Sequence, residues 1–292
     1  MEKIDEIFVK FNKQLDRHGY GFQYSVLKKA KDLAIEKRSD WIFEVSEFPV
    51  EVNGKPTRID FVLKYKNTRL FIVGECKRAD PKFSNWCFVK APYVRRNRSQ
   101  EFCIVDHIKY ISSFSGCMAI QDKLSIPPID KFAYHIGLVV KSKNIQGESS
   151  KSERDAIENA ASQVSLAANG LIELVHKKPS LIKDYPGDDL ISSGLTVVPV
   201  IFTTAKLWVC NHNISLANIE DGKIDLSKDN FSKRDWLFYQ YNISPGLKHA
   251  VVTGQKATRF SEVLDYEYVR TIPIVSPAGI EHFFQHFCPD DF

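Results

Sequence analysis

The chain has 292 residues, 43% of them hydrophobic and 26% charged, the composition of an ordinary globular protein with material for one elaborated domain or two small ones. With 40 basic and 36 acidic residues the formal charge is +4, which permits a polyanionic partner without demanding one and falls short of a strongly basic nucleic-acid binder. None of the six cysteines (Cys76, Cys87, Cys103, Cys117, Cys210, Cys288) sits in a CxxC pair or in zinc-finger spacing with histidine. The opening MEKIDEIFVKFNKQLDRHGY is charged and amphipathic, unlike a signal peptide, and no apolar run approaches the ~20 residues that span a bilayer. The expectation is a cytoplasmic protein with reduced thiols and no membrane association.

In chain order, Ile4, Ile7, Phe8, Phe11 and Leu15 recur at helical spacing, predicting a helix over 4–15. A second helix is expected over 24–36, with Val26, Leu27, Ala30, Leu33 and Ala34 inward. Three strands follow: 41–52, then 57–65 across an Asn53-Gly54 hairpin turn, then 69–76 across Lys66-Asn67. The run LFIVGE is apolar up to its glutamate, as in a strand buried on both faces. Residues 78–147 read as a long insertion with a helix near 101–114 and a strand at 134–140. A polar linker at 142–152 leads to an Ala/Leu-rich helix over 153–176. The Pro/Gly-rich stretch 177–194 reads as a loop, 195–203 as an apolar strand, and 207–216 as a hairpin. The remainder carries the aromatics Trp236, Phe238, Tyr239 and Tyr241 at strand spacing and a short helix near 279–287 with Phe283, Phe284 and Phe287, both read as core. Helix, three meandering strands, helix, strand is an α/β pattern with a mixed sheet.

The chemistry concentrates in Arg58-Ile59-Asp60-Phe61 on one strand and Gly74-Glu75-Cys76-Lys77 on the next. Paired strands bring Asp60 and Glu75 to one edge of the sheet. Glu75 and Lys77, two apart, share a face, and Cys76 points the other way into packing. Hydrolysis of a phosphodiester needs a hard cation on oxygen ligands, and Mg²⁺ asks for one or two carboxylates plus water and phosphate. Asp60 and Glu75 supply the carboxylates, the main-chain carbonyl of Cys76 a further oxygen, and Lys77 a positive charge to orient water or steady charge building on phosphorus. A glutamate at the end of an apolar strand is costly without a metal or a charged partner. The alternative use of the same residues is a structural ion pair of Lys77 with Glu75 or Asp60.

Ile-Asp-Phe followed by Gly-Glu-Cys-Lys resembles the PD-(D/E)XK nuclease superfamily, with Ile59 in place of the proline of the family's name. The resemblance covers residues 24–76 well and 153–203 more loosely. It implies a restriction-endonuclease-like core, a central mixed β-sheet flanked by helices, over 1–203 with the insertion at about 78–147, and a C-terminal extension over 204–292 packed on it. The implied activity is Mg²⁺-dependent (Mn²⁺ substituting) endonucleolytic hydrolysis of DNA, in restriction, anti-phage defence or DNA processing. Family members often add a glutamate from the preceding helix or strand; Glu36, Glu44 and Glu47 are candidates, with Glu47 preferred. They also often carry a glutamine or lysine on the helix after the third strand, a place that Gln163 fits, with Gln100 as a rival. Dimerisation would let two sites cut two strands, and a regulatory protein partner is a further expectation.

Beyond the site, Lys90, Tyr93, Arg95, Arg96 and Arg98 form an aromatic-basic stretch suited to phosphate contact, with Tyr93 or Trp86 available to stack on a base, or equally to a solvated loop. Asp106, His107 and Tyr110 read as structural rather than as a second acid/base group. There is no P-loop, GxGxxG, GxSxG or HExxH, so nucleotide hydrolases, dehydrogenases, α/β-hydrolases and zinc proteases lose their usual signatures. The alternatives kept open are a non-catalytic nucleic-acid-binding module of the same fold and a phosphodiesterase acting on RNA or on a nucleotide.

Overall fold

The structure is a computed structural model that describes residues 4–91, 103–113, 116–126, 133–140, 155–178, 181, 195–243, 252–253 and 268–287. Helices α1 (Ile4–His18) and α2 (Tyr20–Ile35) meet at Gly19, whose φ of 73° breaks one helix and starts the next. The inward residues of α2 are those the periodicity gave: Val26, Leu27, Ala30 and Leu33 are buried and Ala34 half-buried. The apolar stripe of α1 finds no such cover among the described residues, and Phe8, Phe11 and Leu15 are exposed.

Strands β1 (Trp41–Val52), β2 (Lys55–Tyr65) and β3 (Leu70–Lys77) form an antiparallel meander. The β1–β2 turn runs through Asn53 and Gly54, with φ of 50° and 75°, a pair of left-handed residues that matches the twist of a two-residue hairpin. From β3 the sheet continues in parallel to β9 (Leu195–Thr203) and β14 (Val269–Val275), and then antiparallel to β12 (Trp236–Asn242). The chain is thus α/β with a mixed sheet, and strands from beyond residue 203 complete it. Helix α3 (Ala156–Lys177) covers one face, burying Ile157, Ala160, Ala161, Val164, Ala167 and Ala168 against Ile59, Val73 and Ile201. On the opposite face α2 packs with α4 (Ile280–His286), whose Phe283 and Phe284 meet Phe202, which in turn packs on Phe61.

A second sheet is built from β4 (Asn85–Val89), β8 (Ile136–Val140), β10 (Lys206–Cys210) and β11 (Phe231–Arg234), in the order β11-β10-β4-β8. Three expectations are corrected here. Of the helix expected over 101–114, the described residues 103–113 are a strand: β5 (Cys103–Ser113) pairs with β6 (Gly116–Ile126) and with the first residues of β9. The β-branched run Ile104, Val105, Ile108 and Ile111 suits a pleated surface, and its long-range pairing overrides the helical spacing of the apolar residues. Residues 207–216 are not a hairpin, because β10 takes β4 and β11 as partners and Ile214–Leu216 is a turn of 3₁₀ helix. The single strand expected at 134–140 divides into β7 (Ala133–Tyr134), which joins β12, and β8, which joins β4. The predicted linker 142–152 and nearly all of the predicted loop 177–194 lie outside the described residues. No described helix is long and apolar enough to cross a membrane.

Two buried features fix the frame. At Gly74 an added Cβ would stand 2.3 Å from the Phe61 ring, which lies across the glycine from its register partner. Gly74→Ala is therefore expected to cost about 1–3 kcal/mol in urea unfolding, and less on a Phe61→Leu background, where the shorter side chain gives way. On the α3 face Arg270, fully buried, pairs with buried Asp106 of β5 and bonds the Ser165 carbonyl and the Asn169 side chain of α3. Asp106 is thus structural, as read. Arg270→Leu strands its charge and should lose about 3–5 kcal/mol, whereas Arg270→Leu with Asp106→Leu should recover much of that loss.

Candidate active site

Strand register brings three carboxylates close together. Phe61 pairs with Gly74, so Asp60 and Glu75 occupy the next cross-strand position; Ser46 pairs with Phe61 and Phe48 with Ile59, so Glu47 lies across from Asp60. Directly opposed residues of antiparallel strands share a face, and Val62 and Val73, two residues from Asp60 and Glu75, mark this face as that of α3. Glu47, Asp60 and Glu75 therefore form one row across β1, β2 and β3. Together with Gly19, Tyr20 and Gln23 at the start of α2, Thr57, Arg58, Cys76, Lys77 and Gln163 of α3, they line a polar cleft of about 330 Å³.

Each acid has a distinct environment. Asp60 Oδ2 accepts the Cys76 N–H at 2.8 Å, a side chain taking the place of a ladder carbonyl where β2 and β3 part. Glu75 is 7% exposed, and Lys77 Nζ reaches its Oε1 at 2.7 Å. Burial and then the neighbouring Asp60 charge push the Glu75 carboxyl up to about 7, and Lys77 offsets this only in part. Asp60 is raised as well, by burial first, against the Cys76 N–H and Lys77. Burial, Asp60 and Glu75 push the Cys76 thiol well above its ordinary value, so its sulfur stays a protonated, packed group, and the oxygen of its main chain remains the donor it can offer. Glu47 has a left-handed φ of 53°, unusual for a glutamate; its Oε1 accepts Gln23 Nε2 at 2.7 Å and its Oε2 meets Arg58 NH1 at 3.0 Å. The same Gln23 amide nitrogen donates to the Asp60 carbonyl at 2.9 Å, bolting α2 to both β1 and β2.

The cleft thus gathers Asp60, Glu75, Lys77, Cys76, Glu47 and Gln163 from the sequence reading. Glu36 pairs instead with Arg38 on the surface, and Glu44 is exposed outside the cleft. Gln23 and Arg58 were not singled out from sequence. Arg58 carried a signal, since it stands two residues before Asp60 on the same strand; Gln23 carried none, because a polar residue near a helix start reads as surface. Trp86 cannot stack on a base as expected: alternation along β4 turns it and Phe88 into the core, leaving Trp86 1% exposed. Lys90 lies away from the cleft with Nζ 6.0 Å from the Tyr134 ring centroid, and burial lowers its pKa. Tyr93, Arg95, Arg96, Arg98 and Gln100 lie outside the described residues.

Among the described residues no cluster of three or more His, Cys, Asp and Glu side chains closes on a common point as a ready-made metal cage. The donor set still suits a hard, hydrated cation, which needs only one or two carboxylates. A half-buried Asp60 that raises the proton affinity of buried Glu75, and is itself raised by burial, is the arrangement a divalent charge would relieve. Comparison with family models, curated proteins and solved structures returns no match, so chemistry has to be read from this cleft alone.

A titration checks the electrostatics. Glu75 holds its proton more tightly folded (about 7) than at its ordinary value of 4.5, so the folded state binds more protons within that window and stability must fall as pH rises through it. In a chelator, stability should drop by up to about 3 kcal/mol between the two ends of the window. Glu75→Gln should flatten that slope in urea titrations at successive pH values; an unchanged slope would refute the assignment.

Proposed function

We propose that this protein is a divalent-cation-dependent nuclease that hydrolyses DNA phosphodiester bonds, with a restriction-endonuclease-like core of the PD-(D/E)XK kind. The observation that carries the reading is the cross-strand row of Glu47, Asp60 and Glu75 with Lys77 at 2.7 Å from Glu75, facing one polar cleft beneath α3. A structural ion pair would need only Lys77 and one acid; here a second, half-buried carboxyl stands beside them.

Asp60, Glu75 and the Cys76 carbonyl would hold Mg²⁺, which when bound supplies Lewis-acid polarisation of the phosphoryl group and a more acidic attacking water. The chain does the rest. The Cys76 N–H holds one Asp60 oxygen, so the carboxylate keeps a fixed aim into the cleft. Lys77 is a movable point charge whose ammonium, once Glu75 is otherwise neutralised, can turn to the nucleophile or to the charge developing on phosphorus. Gln163 presents a neutral amide from α3 to the same cleft, suited to orienting water without altering its charge. Restriction, anti-phage defence or DNA processing, and a homodimer or a regulatory partner, are the biological settings that fit such an enzyme.

The test is cleavage of plasmid and single-stranded DNA with Mg²⁺ or Mn²⁺ against a chelator control. Wild type should nick or linearise DNA, and Asp60→Ala should not. Lys77→Ala should keep DNA binding while losing about 10²–10³-fold in rate; a fully active Lys77→Ala protein would remove Lys77 from the chemistry.

A further inference from the structure

Among the described residues lining the cleft, Arg58 is the one arginine, and it is paired with a glutamate. It sits two residues before Asp60 on β2, its side chain 58% exposed, and NH1 rests on Glu47 Oε2 at 3.0 Å. Glu47 is held to receive it. The Glu47 backbone is in the left-handed region at φ 53°, a conformation unfavourable for a non-glycine residue that persists only where the surroundings enforce it. Buried Gln23, 4% exposed, takes up the other carboxylate oxygen at 2.7 Å while anchoring itself on the Asp60 carbonyl. Both oxygens of Glu47 are thus engaged with protein groups, one by an amide donor and one by a guanidinium. Nothing in that arrangement resembles a carboxylate waiting for a cation; it resembles a dock for an arginine.

The charges lining the cleft give the dock a purpose. Glu47, Asp60 and Glu75 face Arg58 and Lys77, three acids against two bases, a lining that repels a phosphodiester. An anionic ligand becomes welcome when a divalent cation offsets Asp60 and Glu75, and a guanidinium that can leave its carboxylate then offers a planar fork for phosphate oxygens. We propose that Arg58 is the phosphate-binding residue of the cleft, docked on Glu47 in the free protein and transferred to a backbone phosphate of the substrate strand when nucleic acid enters. The proposal rests on the nuclease reading and adds to it the group that grips the polyanion. Glu47 acts as the competitor for that grip. Its carboxylate sets how readily Arg58 leaves, so the pair makes phosphate binding conditional on a second positive charge in the cleft.

Equilibrium binding separates the inference from the reading on which it rests. Fluorescence anisotropy with labelled DNA and RNA oligonucleotides is measured in Ca²⁺ and in chelator for wild type, Arg58→Ala, Arg58→Lys and Glu47→Gln. Thermal unfolding of each variant serves as the folding control. Arg58→Ala should weaken binding in Ca²⁺ about tenfold and lower the salt slope of binding by about one phosphate contact. Arg58→Lys should keep the slope with intermediate affinity. Glu47→Gln should tighten binding and make it less dependent on Ca²⁺, and the double variant Glu47→Gln/Arg58→Ala should bind no better than Arg58→Ala. Wild-type affinity and slope in Arg58→Ala, or unchanged binding in Glu47→Gln, would overturn the proposal while leaving the nuclease reading intact. A folded wild type that neither binds either oligonucleotide in Ca²⁺ nor cuts in Mg²⁺ would overturn both.

Discussion

Phe61 lies across Gly74 because only a residue without a side chain leaves room for the ring, and that contact locks the register of β2 against β3. A slip of one residue would turn every side chain of β3 to the other face: Glu75 and Lys77 would enter the aromatic layer of Phe61, Phe202 and Phe283, and Cys76 would enter the cleft. The same ring packs on Phe202 of β9, so the pairing is held from the neighbouring strand as well. The β1 register then brings Glu47 beside the row, where its left-handed backbone and Gln23 hold it. Three acids from three strands meet because one glycine admits one phenyl ring.

Gathering those acids is electrostatically unfavourable, and the fold tolerates it by graded compensation. Glu75, the most deeply placed, has the closest cation; Asp60 has a fixed N–H donor; Glu47, toward the rim, has a neutral amide and an exposed guanidinium. The compensation stops short of balance, since Glu75 and Asp60 both retain raised proton affinity. A site meant only to hold the fold would gain by replacing such a pair with apolar side chains. Elsewhere the same fold handles a buried charge differently: Arg270 and Asp106 lie together with no solvent exposure, and α3 supplies the remaining acceptors. That contrast separates a charge used for architecture from charges left incompletely matched at a cleft.

The sequence made the inner part of this site legible because period-two alternation and a hairpin turn are local rules. The Lys66-Asn67 turn, the apolar run ending at Glu75 and the spacing of Glu75 and Lys77 suffice to put Asp60, Glu75 and Lys77 together. Glu47 and Gln163 came from the family resemblance, and both line the cleft. The outer part was hidden because it depends on contacts between distant elements. Gln23 enters only when α2 crosses β1 and β2, and nothing in its surroundings in sequence marks it as buried. The helix read at 101–114 failed for the same reason: its apolar spacing suited a helix, but pairing with β6 and β9 decided the outcome. Trp86 looked like a surface aromatic beside basic residues, yet the strand it occupies turns it inward.

The sheet edge explains why Glu47, rather than an interior acid, is the one with the unusual backbone. β1 ends the strand order, so it is paired on one side by β2 and has no ladder on the other within the described residues to resist distortion. The β1–β2 register shifts between Phe43 and Val45, and a few residues further on the chain takes its left-handed step at Glu47. Irregularities of this kind bend an edge strand and re-aim a side chain. An asparagine would adopt that backbone more readily, but its neutral amide would bring no charge to pair with Arg58. Glu47 combines a backbone it does not favour with a charge that pairs with Arg58, and Gln23 supplies the contact that keeps the two together. The strain is therefore best understood as belonging to the cleft, because relieving it by substitution would remove the carboxylate that receives Arg58.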